Sequence, residues 1–222
     1  MHELEFTDNE IRIILQALDL YSRIWIGQYD HILWDLRWYR NCNQLDELDK
    51  TLRREFLDIR NIVLPGLHEC SLNGSYGIFS PDRDTKAAIA YDMQQEFRYR
   101  RAWFLKPEGG YTVDFGRPLP CNEDPCDFPK AECYDVDGEI WIKIYIADTQ
   151  LEVIIDALNI GILESDCQIR KLFEYYTNDS EALKIADELT ELLMSVDAVR
   201  EIDNKIEYKL VQRLSSIRGN ER

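Results

Sequence analysis

Residues 7–20, TDNEIRIILQALDL, and residues 147–160, ADTQLEVIIDALNI, carry nearly the same pattern 140 positions apart. In both, apolar residues fall at the spacing of one helical face: Ile11, Ile14, Leu15 and Leu18 in the first, Leu151, Ile154, Ile155 and Leu158 in the second. Each follows a strand-like alternation, ELEF at the start of the chain and IWIKIYI before the second copy. In the latter, Ile140, Ile142, Ile144 and Ile146 share one face while Trp141, Lys143 and Tyr145 share the other. Thr7 and Glu10 have the spacing of a capping box, and Asp148 is the expected cap of the second helix. A strand feeding a capped helix, written twice, predicts an α+β fold. It is mostly helical, with two strand–helix–helix units related by internal pseudo-symmetry and only short β-strands. Such a unit buries its apolar face against its twin, as two subunits of a symmetric dimer do.

Further helices complete each unit. NQLDELDKTLRREFLDIRNIVLP is closed by Pro65, and DSEALKIADELTELLMSVD has Leu183, Ala186, Leu189 and Met194 as its buried face, capped by Asp179 or Ser180. NKIEYKLVQRLSSI is a last amphipathic helix. Between the copies lies material without a counterpart. It comprises the turn-rich SLNGSYGIFSPDRD, a helix from about Asp84 to Leu105 with Ile89, Met93, Phe97, Arg100 and Phe104 at core spacing, and a strand YTVDF after a turn at Glu108–Gly110. Pro- and Cys-rich CNEDPCDFPKAE has no periodicity. The expected organisation is therefore a first unit over 1–118, a linker over 119–134 and a second unit over 135–222.

Charge narrows the function classes. The chain carries 42 acidic and 26 basic residues, a net −16, and the excess is concentrated after residue 110. A surface of that sign repels phosphate backbones, so direct nucleic-acid binding is not expected. A basic protein surface is a better electrostatic match. Apolar runs such as IIL and VII are far too short to span a membrane, and MHELEFTDNE lacks the order of a secretory signal. A soluble protein of the cytoplasm is expected. Its cysteines, at 42, 70, 121, 126, 133 and 167, should then be reduced.

LDLYSRIWIGQYD, GSYGI, AYDMQQEFRYRRAW and PEGGYTVDF resemble stretches of small acidic proteins from an uncharacterised phage and prophage family, over roughly residues 4–118. The resemblance implies a phage-type setting, in the cytoplasm of the host cell, and carries no reaction.

Catalytic motifs give little to build on. The phosphate-binding, dinucleotide-binding, zinc-protease and serine-elbow patterns are absent, and His2, His31 and His68 share no helical turn. Zinc would need Cys70, Cys121, Cys126 and Cys133, with His68, at spacings looser than the common pairs, so free thiols and no cofactor are the favoured reading. LNGSYGIFS can be drawn as a backbone cradle for an anion, but Asp82 and Asp84 oppose one, and a structural turn is preferred. The richest patch is YSRIWIGQYDHILWDLRWYR, followed later by EFRYRRAW. Tyr21, Arg23, Trp25, Gln28, Tyr29, His31, Arg98 and Arg101 are the expected ligand-binding residues, because aromatic rings stack on bases and guanidinium groups pair with phosphate or carboxylate. The competing reading buries the rings in the core and pairs the arginines with nearby acids; Asp30, His31 and Asp35 add a weak acid–base or metal grouping. The composition fits a non-enzymatic accessory protein that binds and blocks or sequesters a host component, either a defence protein or a small nucleotide-like signal. Homo-oligomerisation is compatible with this. The alternatives are a metal-dependent enzyme acting on a nucleotide and a phage structural or assembly partner.

Overall fold

The computed structural model describes residues 1–32, 46–109, 117–121, 128–165, 169–174, 177–194 and 205–219. It is an α+β fold, mostly helical, around a three-stranded antiparallel sheet. The elements in chain order are β1 (His2–Thr7), α1 (Asp8–Trp25), α2 (Asp46–Val63), α3 (Thr85–Leu105), β2 (Lys130–Val136), β3 (Glu139–Ile146), α4 (Asp148–Ser165), α5 (Ile169–Glu174), α6 (Ser180–Met194) and α7 (Lys205–Gly219). A 3-10 turn at Pro65–Leu67 follows α2.

The sheet order is β1-β3-β2, so the strands of both repeated stretches lie side by side. Leu4 stands opposite Ile144, Phe6 opposite Ile142 and His2 opposite Ile146. Because side chains alternate along a strand, these residues share one face with Ala131 and Cys133 of β2. That inner face is buried except at half-buried Leu4 and Cys133, and α1 and α3 pack against the strands. Helix α4 packs on α1, α3 and α7, while α2 packs on α6. One apolar core takes Phe6, Ile14 and Leu18 from the first copy and Ile142, Ile154 and Leu158 from the second.

The local expectations for α1 hold. Thr7 accepts from the Glu10 N–H at 3.3 Å, and the Thr7 N–H donates to the Glu10 carboxylate at 2.9 Å, closing the capping box. The second helix differs. Asp148 lies inside its first turn rather than at the cap; Ala147 takes the cap position, and the Gln150 side chain reaches back to the Ala147 N–H at 2.8 Å. Asp148 instead meets His2 Nε2 at 2.7 Å, tying the start of β1 to the start of α4. At α6 the cap is Asp179, which accepts from Glu181 and Ala182.

Two expectations change. The last five residues of the 119–134 linker belong to β2, because Asp137-Gly138, both at positive φ, make the tight two-residue turn that folds β2 onto β3. On α3, Arg100 and Phe104 face outward, and the buried face holds Asp92, Met93, Gln95, Glu96 and Phe97. The two buried carboxylates serve the crossing chain: Asp92 accepts from the Cys121 N–H at 2.7 Å and Glu96 from the Ala131 N–H at 3.4 Å. They anchor main-chain donors that would otherwise be stranded. The YTVDF strand and the side chain of Met194 lie outside the described residues. Among the described residues, no helix is long and apolar enough to cross a membrane.

Candidate functional site

The expected binding residues separate into three groups. Tyr21 and Tyr29 are core: both rings are essentially fully buried, and Tyr29 packs on Phe173 with centroids 5.4 Å apart. Their apolar area is spent on folding, as the competing reading anticipated. Trp25, half-buried, tilts against Tyr21, and Lys86 sits over its ring.

Arg23, Gln28 and His31 do come together, at the C-terminal end of α1. Arg23 donates to Asp19 at 2.8 Å and to the Gln28 side-chain Oε1 at 3.0 Å; the Gln28 side-chain amide donates on to Ser75 at 3.4 Å. His31 pairs with Asp19 at 3.4 Å, not with Asp30, which takes Arg53. Burial alone would raise the Asp19 carboxyl, but the hydrogen bonds from His31 and Arg23 overcome it and hold it below the ordinary carboxylate value. A folded-state value below the unfolded one stabilises the fold at neutral pH, and this contribution is lost as pH falls through the depressed value. The stability difference between the native protein and Asp19→Asn should therefore shrink as pH drops from about 7 to about 2. Urea unfolding at several pH values measures it, and a difference constant across that range contradicts the pairing.

Arg98 and Arg101 lie elsewhere. Arg101 makes a two-point pair with Asp8 at 2.5 and 2.9 Å, and Arg98 donates to Gln95. Asp8 and Arg23 stand at opposite ends of α1, so the two arginine groups are about 22 Å apart along a helix rising 1.5 Å per residue. They cannot grip one small ligand together. Each guanidinium is also already engaged by a side chain of the protein itself. Trp34, Asp35, Arg37, Trp38, Tyr39 and Arg40 lie outside the described residues, as does Cys126.

The loop after α2 has the opposite polarity to an anion cradle. Carbonyls of Leu67, Cys70, Ser71 and Gly74 converge on the guanidinium of Arg60, a fully buried side chain at the end of α2. The loop is thus wound around an internal cation. Gly27 fits beside it at φ +93°, where an added Cβ would stand 2.4 Å from Leu67 Cδ1.

Among the described residues, no group of three His, Cys, Asp or Glu side chains is placed to hold a metal. Burial and the neighbouring Asp92 push the Cys121 thiol up to about 12, and burial pushes Cys133 up to about 11. Both thiols are thus held in the protonated form.

A surface missing from the expected site lies on the outer face of the sheet. The ladder places Glu3, Glu5 and Thr7 of β1 beside Tyr145, Lys143 and Trp141 of β3, and these beside Lys130, Glu132 and Tyr134 of β2. Lys143 bridges Glu3 at 2.7 Å and Glu5 at 3.1 Å. Hydrogen bonds from Lys143 and then Tyr134 hold the Glu5 carboxyl below its ordinary value. Tyr134, Trp141 and Tyr145 remain half-buried and Val136 is exposed. Together with Glu5, Asp137 and Glu139, three of them (Tyr134, Val136 and Trp141) line a hollow of about 410 Å³. Aromatic rings on the polar side of the IWIKIYI alternation were the signal for this surface.

No protein-family model, curated protein or solved structure matches the chain.

Proposed function

We propose that the protein is a non-enzymatic accessory protein of the phage type, working in the host cytoplasm. It binds a host protein and blocks or sequesters it through the outer face of the β1-β3-β2 sheet. The observation that carries this reading is the row of Tyr134, Trp141 and Tyr145 left half-buried on a face with a ready-made hollow. Large aromatic side chains of this kind dominate the energetics of protein interfaces. A nucleotide-like ligand is the weaker choice, because Arg23, Arg98 and Arg101 would have to leave Asp19, Gln95 and Asp8 to reach it.

The repeated pattern belongs to the same reading. We infer two strand–helix units related by a pseudo-two-fold axis through the Leu4–Ile144 pair. Three observations support it. Those two residues are 140 positions apart, α1 and α4 have the same length and the same offset, and Glu10 and Gln150 both reach back to the N–H before their helix. In this view β2 is an addition to one copy only, and the binding face lies where the copies differ.

The test is co-purification of tagged protein from a bacterial host, wild type beside Trp141→Ala. A protein retained in near-equal amount by the wild type and reduced tenfold or more by the variant, at unchanged melting temperature, supports the reading. Equal retention contradicts it. A nucleotide held by the wild type in native mass spectrometry would transfer the function to a small signal.

A further inference from the structure

Strand β1 is an edge of the sheet, with β3 on one side only. A groove of about 350 Å³ runs along it, lined by the consecutive residues Glu3, Leu4, Glu5 and Phe6 and, on the opposite wall, by Arg213 and Ile217 of α7. When four successive residues of an edge strand line one groove, main-chain groups as well as side chains face it. On that wall Arg213 lies over the Phe6 ring at 4.7 Å, and its charge is matched by Glu10 at 3.1 Å. The groove therefore offers an apolar floor at Leu4 and Ile217, and an acidic outer rim at Glu3 and Glu5. Those two carboxylates share the single cation of Lys143, which leaves the rim net negative.

The chain shows how it fills such an edge. On the other side of β3, its own β2 sets Ala131 and Cys133 inward and places Glu132 outward, directly opposite Lys143. Applied to β1, the same logic calls for small or medium apolar side chains inward and a cation opposite each glutamate. A second copy of β1 fails this condition. Paired antiparallel about Leu4, each Glu3 would stand opposite a Glu5, and like charges in register oppose pairing.

We propose that the β1 edge receives an extended segment of a protein partner, alternating apolar residues with Lys or Arg, as a fourth strand of the sheet. Main-chain hydrogen bonds hold the segment, and the alternate side chains select it. The proposal rests on the reading of the sheet as a binding surface and names the class of segment that surface takes.

The probe is a fluorescein-labelled nine-residue peptide alternating valine and lysine, followed by anisotropy. It should bind at least tenfold more tightly than its valine–glutamate and glycine–lysine counterparts; the latter controls for attraction to a protein of net charge −16. Of two peptides N-methylated on alternate residues in opposite phase, one should lose binding tenfold or more. Glu3→Gln/Glu5→Gln should abolish the preference for lysine over glutamate, and hydrogen exchange at Glu3–Phe6 should slow on binding. Equal affinity for the valine–lysine and glycine–lysine peptides, no effect of N-methylation in either phase, or sedimentation showing the edge occupied by a second copy would overturn the proposal. A peptide that fails to bind while Trp141→Ala still loses the host protein removes the edge and leaves the face. Peptide binding with the host protein retained by Trp141→Ala does the reverse.

Discussion

Arg60→Ala is expected to lower the unfolding free energy by about 3–5 kcal/mol, through the loss of charge-assisted hydrogen bonds worth roughly 1.5–3 kcal/mol together with the packing of a buried side chain. The side chain is fully buried, and its fork is the common partner of four loop carbonyls between Leu67 and Gly74. Truncation removes the donor to the Cys70 and Gly74 carbonyls and leaves those of Leu67 and Ser71 with one turn bond each, beside a space lined by Leu67 and Gly27. An unsatisfied buried polar group costs roughly 1–3 kcal/mol, so even partial rescue by water leaves a large loss. Arg60→Lys keeps the charge but not the planar fork and should recover only part of it. The loop should also become the first site of proteolysis, since only two short turn bonds, Cys70 N–H to Leu67 and Gly74 N–H to Ser71, still hold those carbonyls. Denaturant titration gives the magnitude and limited digestion the location. A midpoint unchanged by Arg60→Ala would mean that the loop is held some other way.

Phe6→Ala should cost a similar amount, about 3–5 kcal/mol, as for other large-to-small changes at buried aromatic positions. Phe6 is fully buried opposite Ile142, beneath the Arg213 guanidinium. Its loss removes core volume at the β1–β3 seam and the surface on which α7 leans. Amides of α7 should therefore exchange faster, although no covalent change was made there. Glu3→Gln, on the outer face of the same strand, should stay within about 0.5 kcal/mol of the native protein. Equal effects of the two substitutions would show that β1 is not docked by its Phe6 face.

Much of the fold was legible because period and capping are local. The α1 and α4 stripes, the Thr7–Glu10 box and the inward isoleucines of β3 are each settled by residues within one or two turns of each other. Asp148 was misleading as a cap because its carboxylate is taken by His2, 146 positions away. Strand β2 carries a readable Asp137-Gly138 turn, but the Pro- and Cys-rich composition before it masks the start of the strand.

The site was less legible, for a physical reason. Aromatic residues and arginines mark a binding surface only if folding has no use for them. Tyr29 packs on Phe173, Arg101 on Asp8 and Arg60 inside a loop, and none of these partners lies within a helical turn in sequence. Trp141 and Tyr145 were written on the polar side of an alternating strand. Only the pairing with β1 and β2 makes that side one surface.

Both the proposed binding face and the open edge depend on how β1 pairs with β3. Nuclear Overhauser contacts between the backbones of the two strands measure it directly. The expected contacts join Glu3 to Tyr145, Glu5 to Lys143 and Thr7 to Trp141. A ladder slipped by one residue would turn Glu3 and Glu5 into the core. That result, or contacts placing β1 beside β2, would contradict the face and the edge together.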